Sequence, residues 1–172
     1  RVKRLILVEG LGPLSQPAEK VTELMRDSIQ QWNSLKTKKS PVYQNREEAV
    51  RARHFAGKLK KSSVETLVAR GLGENTDGLV WRSDPRLRIK SRLYLSEAQI
   101  LQMIKDITAQ VLVIEAEDTD TRRWVDLLRS RLGYVKNLDH RILPGGHHLH
   151  LDEPQSVASA IKDFLKYKKK HE

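Results

Sequence analysis

The sequence predicts an α/β protein in which a parallel sheet is covered by helices and carries a long helical insertion. Two short, nearly continuous apolar runs, RLILVEG at 4–10 and VLVIEAED at 111–118, are typical of strands buried on both faces. A third run at 138–142 alternates Leu138, His140 and Ile142 with polar residues, which indicates another strand. Because a helical segment joins the last two strands, we expect a crossover between parallel strands.

The insertion between the first two strands is predicted to be mainly helical. Its first helix carries an apolar stripe at Val21, Leu24, Met25, Ile29, Trp32 and Leu35. Candidate helix caps are Ser15, Asn45 with Glu48, and Ser62 with Glu65, and Gly71 ends the run. The tetrapeptide NTDG at 75–78 indicates a turn, whereas 79–87 shows no clear period. The predicted organisation is a sheet strand over 1–12, a helical lid insertion over 13–105 and the remaining sheet domain over 106–172.

Three further helices are predicted in the second half of the chain. Ser96 with Gln99 opens the first, and Asp120 or Thr121 caps the second. Asp152 with Gln155 has the spacing that opens the last helix, directly after the segment LPGGHHLHL.

The composition excludes several classes of site. The chain has 172 residues and no cysteine, so disulfides, thiolate metal sites and a cysteine nucleophile are absent. The net charge is +10, but the basic residues are spread over separate runs and only 5% of residues are aromatic, which makes nucleic-acid binding an unlikely function. No apolar run approaches the roughly 20 residues of a membrane span. The lack of cysteine and of a signal peptide favours an intracellular location.

Polar residues follow each predicted strand at its carboxyl end, where the loops of a parallel sheet converge. The first strand ends in Glu9, and the second in Glu117 and Asp118. The third runs into a Pro-Gly-Gly turn and then His147. An acid and a histidine in these positions would supply two members of a Ser-His-acid triad. A metal site is the weaker interpretation, because the three histidines of GGHHLH lack a partner motif such as H-E-x-x-H.

On these residues the chain resembles the C-terminal half of an α/β-hydrolase, and it is most similar to the serine hydrolase-like (kraken-type) branch. The matching segments are RVKRLILVEGLGP at the family's sixth strand, GLVWRSDPRLR in the lid, VLVIEAED at the seventh strand and LPGGHHLHLDEP after the eighth. The match is weak through the lid helices. The resemblance implies the hydrolase fold, a helical lid and a reaction that requires neither cofactor nor metal.

The resemblance also implies roles for individual residues. His147 falls on the general base, and His148 and His150 are then bystanders. Many relatives place the acid after the seventh strand, but that position is Thr119 here, which is not a carboxylate. Others, among them the haloalkane dehalogenases, place it after the sixth strand, and the matching residue is Glu9. We therefore expect Glu9 to be the acid, with Asp118 and Asp120 as the alternatives.

The nucleophile of such a hydrolase is missing from these residues. No G-x-S-x-G motif occurs, and the helix-capping role predicted for Ser15 does not suit a nucleophile. The resemblance places the nucleophile elbow upstream of Arg1, so we expect an upstream segment to be a necessary partner and the chain alone to be inactive. The expected substrate is a small, apolar, ester-like molecule, and Trp32 and Trp81 are candidates for the pocket wall or for ordinary core packing. The alternative is a non-catalytic hydrolase-like protein that binds a small ligand or a partner.

Overall fold

The computed structural model describes residues 2–35, 37, 40–57, 59–119 and 122–166, without the side chains of 122 and 123. In chain order the regular elements are β1 (Arg4–Val8), α1 (Val21–Ser34), α2 (Arg46–Ala56), α3 (Lys61–Gly71), β2 (Leu72–Asn75), β3 (Gly78–Trp81), α4 (Glu97–Lys105), β4 (Gln110–Ala116), α5 (Arg122–Leu132), β5 (Leu138–Leu143), α6 (Leu149–Asp152) and α7 (Pro154–Lys166). The chain forms two compact units. The sheet unit comprises Arg1–Leu14 and Glu97–Glu172, and the insertion unit comprises Ser15–Ser96.

The sheet unit contains three parallel strands in the order β1-β4-β5. The predicted α/β class is confirmed, and so are the three predicted strands. All residues of β4 from Val111 to Ala116 are buried, as its apolar run predicts. The residues of β1 are only half-buried, so the prediction of burial on both faces was wrong for this strand. The reason is its place at the edge of the described sheet, where one side of the strand has no neighbour.

Side chains on the two faces of β4 have different surroundings. Leu112, Ile114 and Ala116 pack into one apolar cluster whose other buried members come from α6 and α7: Leu149, Val157, Ala160 and Phe164. The intervening residue Glu115 points to the opposite face, where it contacts α5 through Arg129. This alternation fixes the sheet between helices on both sides and gives the strand ends a rigid base.

A buried arginine joins two distant segments of the sheet unit. The Arg131 guanidinium of α5 donates to the backbone carbonyls of Leu11 and Pro13 at 2.7 and 2.9 Å. It also binds both carboxylate oxygens of Glu97 at 2.8 and 2.7 Å. The charge is thus paired and hydrogen-bonded, which is the condition under which an arginine can be buried. Arg131 thereby holds together the two stretches at which the chain leaves the sheet unit and returns to it.

The insertion unit contains α1, α2, α3 and an antiparallel hairpin of β2 and β3. The predicted NTDG turn is confirmed, since the Asn75 side chain accepts from the backbone N–H groups of Asp77 and Gly78. The strands that flank it were missed because neither LGEN nor GLVW alternates clearly. Compared with the predicted insertion of 13–105, the unit ends earlier, because α4 groups with the sheet.

The predicted helix caps had mixed outcomes. Asn45 caps α2 as predicted, accepting from the Glu48 N–H at 2.9 Å. Ser15 and Ser62 do not cap helices, and Asp152 is the last residue of α6, two residues before α7. A 3₁₀ turn at Ala18–Lys20 precedes α1, α3 begins one residue before Ser62, and α7 begins at Pro154. Proline is well suited to the first position of a helix because it needs no N–H partner there. The predicted caps Asp120 and Thr121 lie outside the described residues.

Candidate active site

The site is built at the carboxyl ends of β1 and β4 and in the loop after β5. Glu9 follows β1 directly and has a φ of 55°, in the left-handed region that non-glycine residues rarely adopt. Two hydrogen bonds hold this conformation. The Glu9 N–H donates to the Ile114 carbonyl at 2.8 Å, and the Trp124 indole N–H donates to the Glu9 carbonyl at 2.7 Å. The backbone thereby turns away from the strand direction and directs the side chain towards β4.

The Glu9 side chain is buried and hydrogen-bonded through both carboxylate oxygens. Oε1 accepts from the backbone N–H of Ala116 at 2.6 Å. Oε2 accepts from the Thr119 hydroxyl at 2.7 Å and lies 3.1 Å from Nδ1 of His147. Only 5% of Glu9 is exposed, so these contacts replace nearly all of its hydration.

His147 directly follows the glycine turn after β5, and this turn sets the position of its side chain. Gly145 has a φ of 115°, which suits glycine, and a Cβ there would approach Leu149 and Glu153. The Gly145 carbonyl accepts from the Asp118 N–H at 3.0 Å, which fixes the loop against the end of β4. The ring of His147 is 54% exposed and stands edge-on to Trp124, with centroids 6.4 Å apart.

The contact between Glu9 and His147 defines the chemistry available to the imidazole. Between an ionised carboxylate, which can only accept, and a neutral imidazole, this bond places the proton on Nδ1 and leaves Nε2 with its lone pair. Nε2 is on the far side of the ring from Glu9, and the ring is more than half exposed. A histidine in this tautomer can take a proton from a hydroxyl that approaches Nε2.

The structure places the other candidates as follows. Asp118 has an exposed side chain and contributes its backbone N–H to the loop, and Asp120 lies outside the described residues. His148 and His150 continue a row of edge-on rings from His147, with centroid separations of 5.0 and 6.0 Å. In the described part of the chain, no group of three or more His, Asp or Glu side chains is arranged to hold a metal ion.

Two residues of this site, Thr119 and Trp124, were not predicted from the sequence. Thr119 was noted only because it is not a carboxylate at the position after the seventh strand where many relatives have the acid. Its hydroxyl instead binds Glu9, the acid that follows β1. Trp124 was not a predicted site residue, yet its indole N–H donates to the backbone carbonyl of Glu9. The signal for Thr119 was its place three residues beyond Ala116, where the family's acid falls.

The comparisons with known proteins support the fold and the resemblance. No family model matches the chain. A serine hydrolase-like protein of Dictyostelium discoideum is 25% identical over 95% of this chain and 49% of its own length. A solved hypothetical protein of Pseudomonas aeruginosa is 32% identical, with a TM-score of 0.84 over 97% of this chain and 60% of that one. The thioesterase domain of the curacin biosynthetic pathway is 22% identical, with a TM-score of 0.71 over 94% of this chain and 58% of that one.

The chain has the α/β-hydrolase fold. Its similarity to serine hydrolase-like proteins extends over nearly its whole length, so the resemblance predicted from the sequence is confirmed. The chain spans about half the length of the curated relatives it matches. Among the helices of the described residues, none combines the length and the apolar character that a membrane crossing requires.

Proposed function

We propose that this chain supplies the base and the acid of a Ser-His-acid triad that hydrolyses small, apolar esters or related acyl compounds. The observation that carries the proposal is the 3.1 Å contact between His147 Nδ1 and the buried carboxylate of Glu9. In this arrangement Glu9 holds the imidazole in one tautomer and one orientation, and it stabilises the imidazolium that forms. Nε2 of His147 takes the proton from the nucleophile and later returns it to the leaving group.

The nucleophile belongs to a segment outside these residues in this proposal. The chain contains no G-x-S-x-G elbow, and its curated relatives are about twice as long as the part that matches. β1 lies at the edge of the described sheet, so a further strand can pair with it and bring a serine to His147. The insertion unit is proposed to be the lid of the enzyme, and Trp32 and Trp81 are candidates for its pocket wall or for ordinary packing.

The acid assignment is tested by comparing Glu9→Gln with Asp118→Asn in a longer polypeptide that includes the nucleophile segment. An amide in place of the acid holds the imidazole in the wrong tautomer, so Glu9→Gln should reduce kcat by about 10⁴-fold. Asp118→Asn should reduce it no more than about threefold, since this exposed side chain affects the site only indirectly. A collapse of activity in Asp118→Asn with little change in Glu9→Gln would move the acid to the loop after β4.

The location of the nucleophile is tested with a serine-directed fluorophosphonate probe. Residues 1–172 alone should not be labelled and should self-associate, because an apolar edge strand recruits other strands. The longer polypeptide should be monomeric and labelled, and His147→Ala should remove the label. Labelling of residues 1–172 alone would show that the nucleophile is among them, and a longer polypeptide that never reacts would favour the non-catalytic alternative.

A further inference from the structure

The geometry around Glu9 identifies a residue that the proposed triad does not include. Oε2 of Glu9 is the oxygen that contacts His147, and the same oxygen accepts from the Thr119 hydroxyl at 2.7 Å. A carboxylate oxygen has two lone pairs, so one oxygen can accept both bonds. Thr119 therefore acts on the atom that orients the histidine.

A glutamate needs such a partner because its last torsion is poorly defined by the side chain itself. The χ3 angle of glutamate is broad and roughly two-fold, so packing of the aliphatic part does not fix the plane of the carboxylate. The Ala116 N–H at 2.6 Å anchors Oε1 alone and leaves rotation about that anchor. Oε2 also accepts from His147, but that imidazole is the group the carboxylate must orient, so the Thr119 hydroxyl is the donor that defines the plane independently of the histidine.

The chain path explains why a threonine can fill this place. β1 and β4 are parallel neighbours with Val8 opposite Ile114, so their carboxyl ends open on the same side of the sheet. Glu9 comes one residue after β1, and Thr119 comes three residues after Ala116, the last residue of β4. The left-handed turn at Glu9 then directs its carboxylate towards the loop that carries Thr119.

We propose that Thr119 is a positioning residue that holds the Glu9 carboxylate in the plane required by His147, an inference that rests on the proposed triad. The hydroxyl does not touch the reacting atoms. It acts through Glu9 alone, and its contribution is the hydrogen bond rather than the volume of the side chain.

Three variants of the longer polypeptide separate these contributions. Thr119→Val keeps the shape and removes the donor, whereas Thr119→Ser keeps the donor. Thr66→Val is the matched control, because the Thr66 hydroxyl binds a backbone carbonyl of its own helix, that of Ser62. Thr119→Val should reduce kcat by about 10- to 100-fold, the range for a lost hydrogen bond to a charged group, with KM changed less than about threefold. Thr119→Ser and Thr66→Val should remain within about threefold of the wild type.

A spectroscopic readout tests the same inference without turnover. The proton on Nδ1 of His147, observed by NMR after isotopic labelling of histidine, should give one downfield resonance in the wild type and in Thr119→Ser. In Thr119→Val that resonance should move upfield or broaden as the carboxylate rotates. Thermal unfolding shows whether each variant is folded, and Thr119→Ala replaces Thr119→Val if the valine variant does not fold.

The outcomes distinguish this inference from the proposed function. Unchanged kcat and an unchanged resonance in Thr119→Val would overturn the positioning role. Equal losses in Thr119→Val and Thr119→Ser would also overturn it, because the hydroxyl would then not be the cause. If the wild type hydrolyses no ester, the proposed function fails, and the NMR comparison alone decides whether Thr119 orients the pair.

Discussion

Two buried glutamates of the sheet unit each contact a histidine ring, but they differ in their other partners. The Glu9 carboxylate binds His147, a hydroxyl and a backbone N–H. The Glu115 carboxylate binds His140 at 2.9 Å and the Arg129 guanidinium at 2.6 Å. Within the described residues, His147 is the one basic side chain in ion-pair contact with Glu9.

The histidines also differ in exposure and in the nitrogen they use. The His147 side chain is 54% exposed and turns Nδ1 to its glutamate, which leaves Nε2 on the exposed side. The His140 side chain is 23% exposed and uses Nε2 itself for the contact. Nε2 is thus free of the glutamate in the first pair and bound to it in the second.

The two pairs differ in whether a cation neutralises the buried carboxylate. The Arg129 guanidinium neutralises Glu115, and the hydrogen bond between them raises the pKa of Arg129. Both carboxylate oxygens of Glu115 are therefore bound, one by Arg129 and the other by His140. Glu9 is held instead by the Ala116 N–H and the Thr119 hydroxyl, which carry no charge, so under the proposed function its carboxylate can stabilise a positive charge on His147. An Arg or Lys partner would reduce that contribution.

The largest expected effect is the difference in kcat between the alanine variants of His147 and His140. In a polypeptide that includes the nucleophile, His147→Ala should lower kcat by at least about 10⁴-fold, because no other group takes the proton from the nucleophile. His140→Ala should leave kcat within about tenfold of the wild type, since the His140 ring binds Glu115 and not Glu9. Steady-state kinetics of both variants check this, with His148→Ala and His150→Ala as neighbours that should retain substantial activity. Loss of activity in His150→Ala would contradict the assignment of the base.

Glutamine variants of the two glutamates should differ in activity, whereas both should lower stability. Glu115→Gln should lower the free energy of unfolding by about 1–3 kcal/mol, because charge-assisted hydrogen bonds to Arg129 and His140 are weakened at a buried site. Its kcat should change little. Glu9→Gln should also lower stability, because it weakens the hydrogen bonds of a buried carboxylate, but unlike Glu115→Gln it should abolish activity. Denaturant unfolding and steady-state kinetics of the two variants test this prediction. Equal losses of kcat in Glu9→Gln and Glu115→Gln would remove the distinction between the two pairs.

The smallest expected effect is at Trp124. Trp124→Phe keeps a ring but removes the donor to the Glu9 carbonyl, which should cost about 1 kcal/mol of stability. The left-handed backbone at Glu9 would be held less firmly, so kcat should fall by about three- to tenfold. A Trp124→Phe variant with full activity and an unchanged unfolding midpoint would show that the backbone keeps this conformation without the indole.

The sheet could be predicted from the sequence because its signals are local. RLILVEG and VLVIEAED are apolar runs that can be recognised in isolation, and the polar residues after them follow from the direction of parallel strands. The same local signals place Glu9, Asp118 and His147 at one edge of the sheet, whereas the choice of Glu9 as the partner of His147 came from the resemblance to the hydrolases. Its catalytic role remains a proposal.

Features that depend on tertiary packing could not be predicted. The bond from Thr119 to Glu9 depends on the strand register and on an unusual φ, neither of which is encoded in a local pattern. The burial of Arg131 depends on carbonyls and a carboxylate far away along the chain. The failed cap at Ser62 shows the converse, because a correct local spacing was overridden when the helix began one residue earlier.

The contacts of Arg131 have a consequence for how this chain can change over evolution. The segment Ser15–Ser96 leaves and rejoins the sheet unit between Pro13 and Glu97, and one guanidinium holds both of these positions. The spacing of the two junctions is therefore set by the sheet unit itself. The junctions can therefore keep their spacing while the insertion between them changes in sequence or length, and the framework of Glu9 and His147 is then left in place.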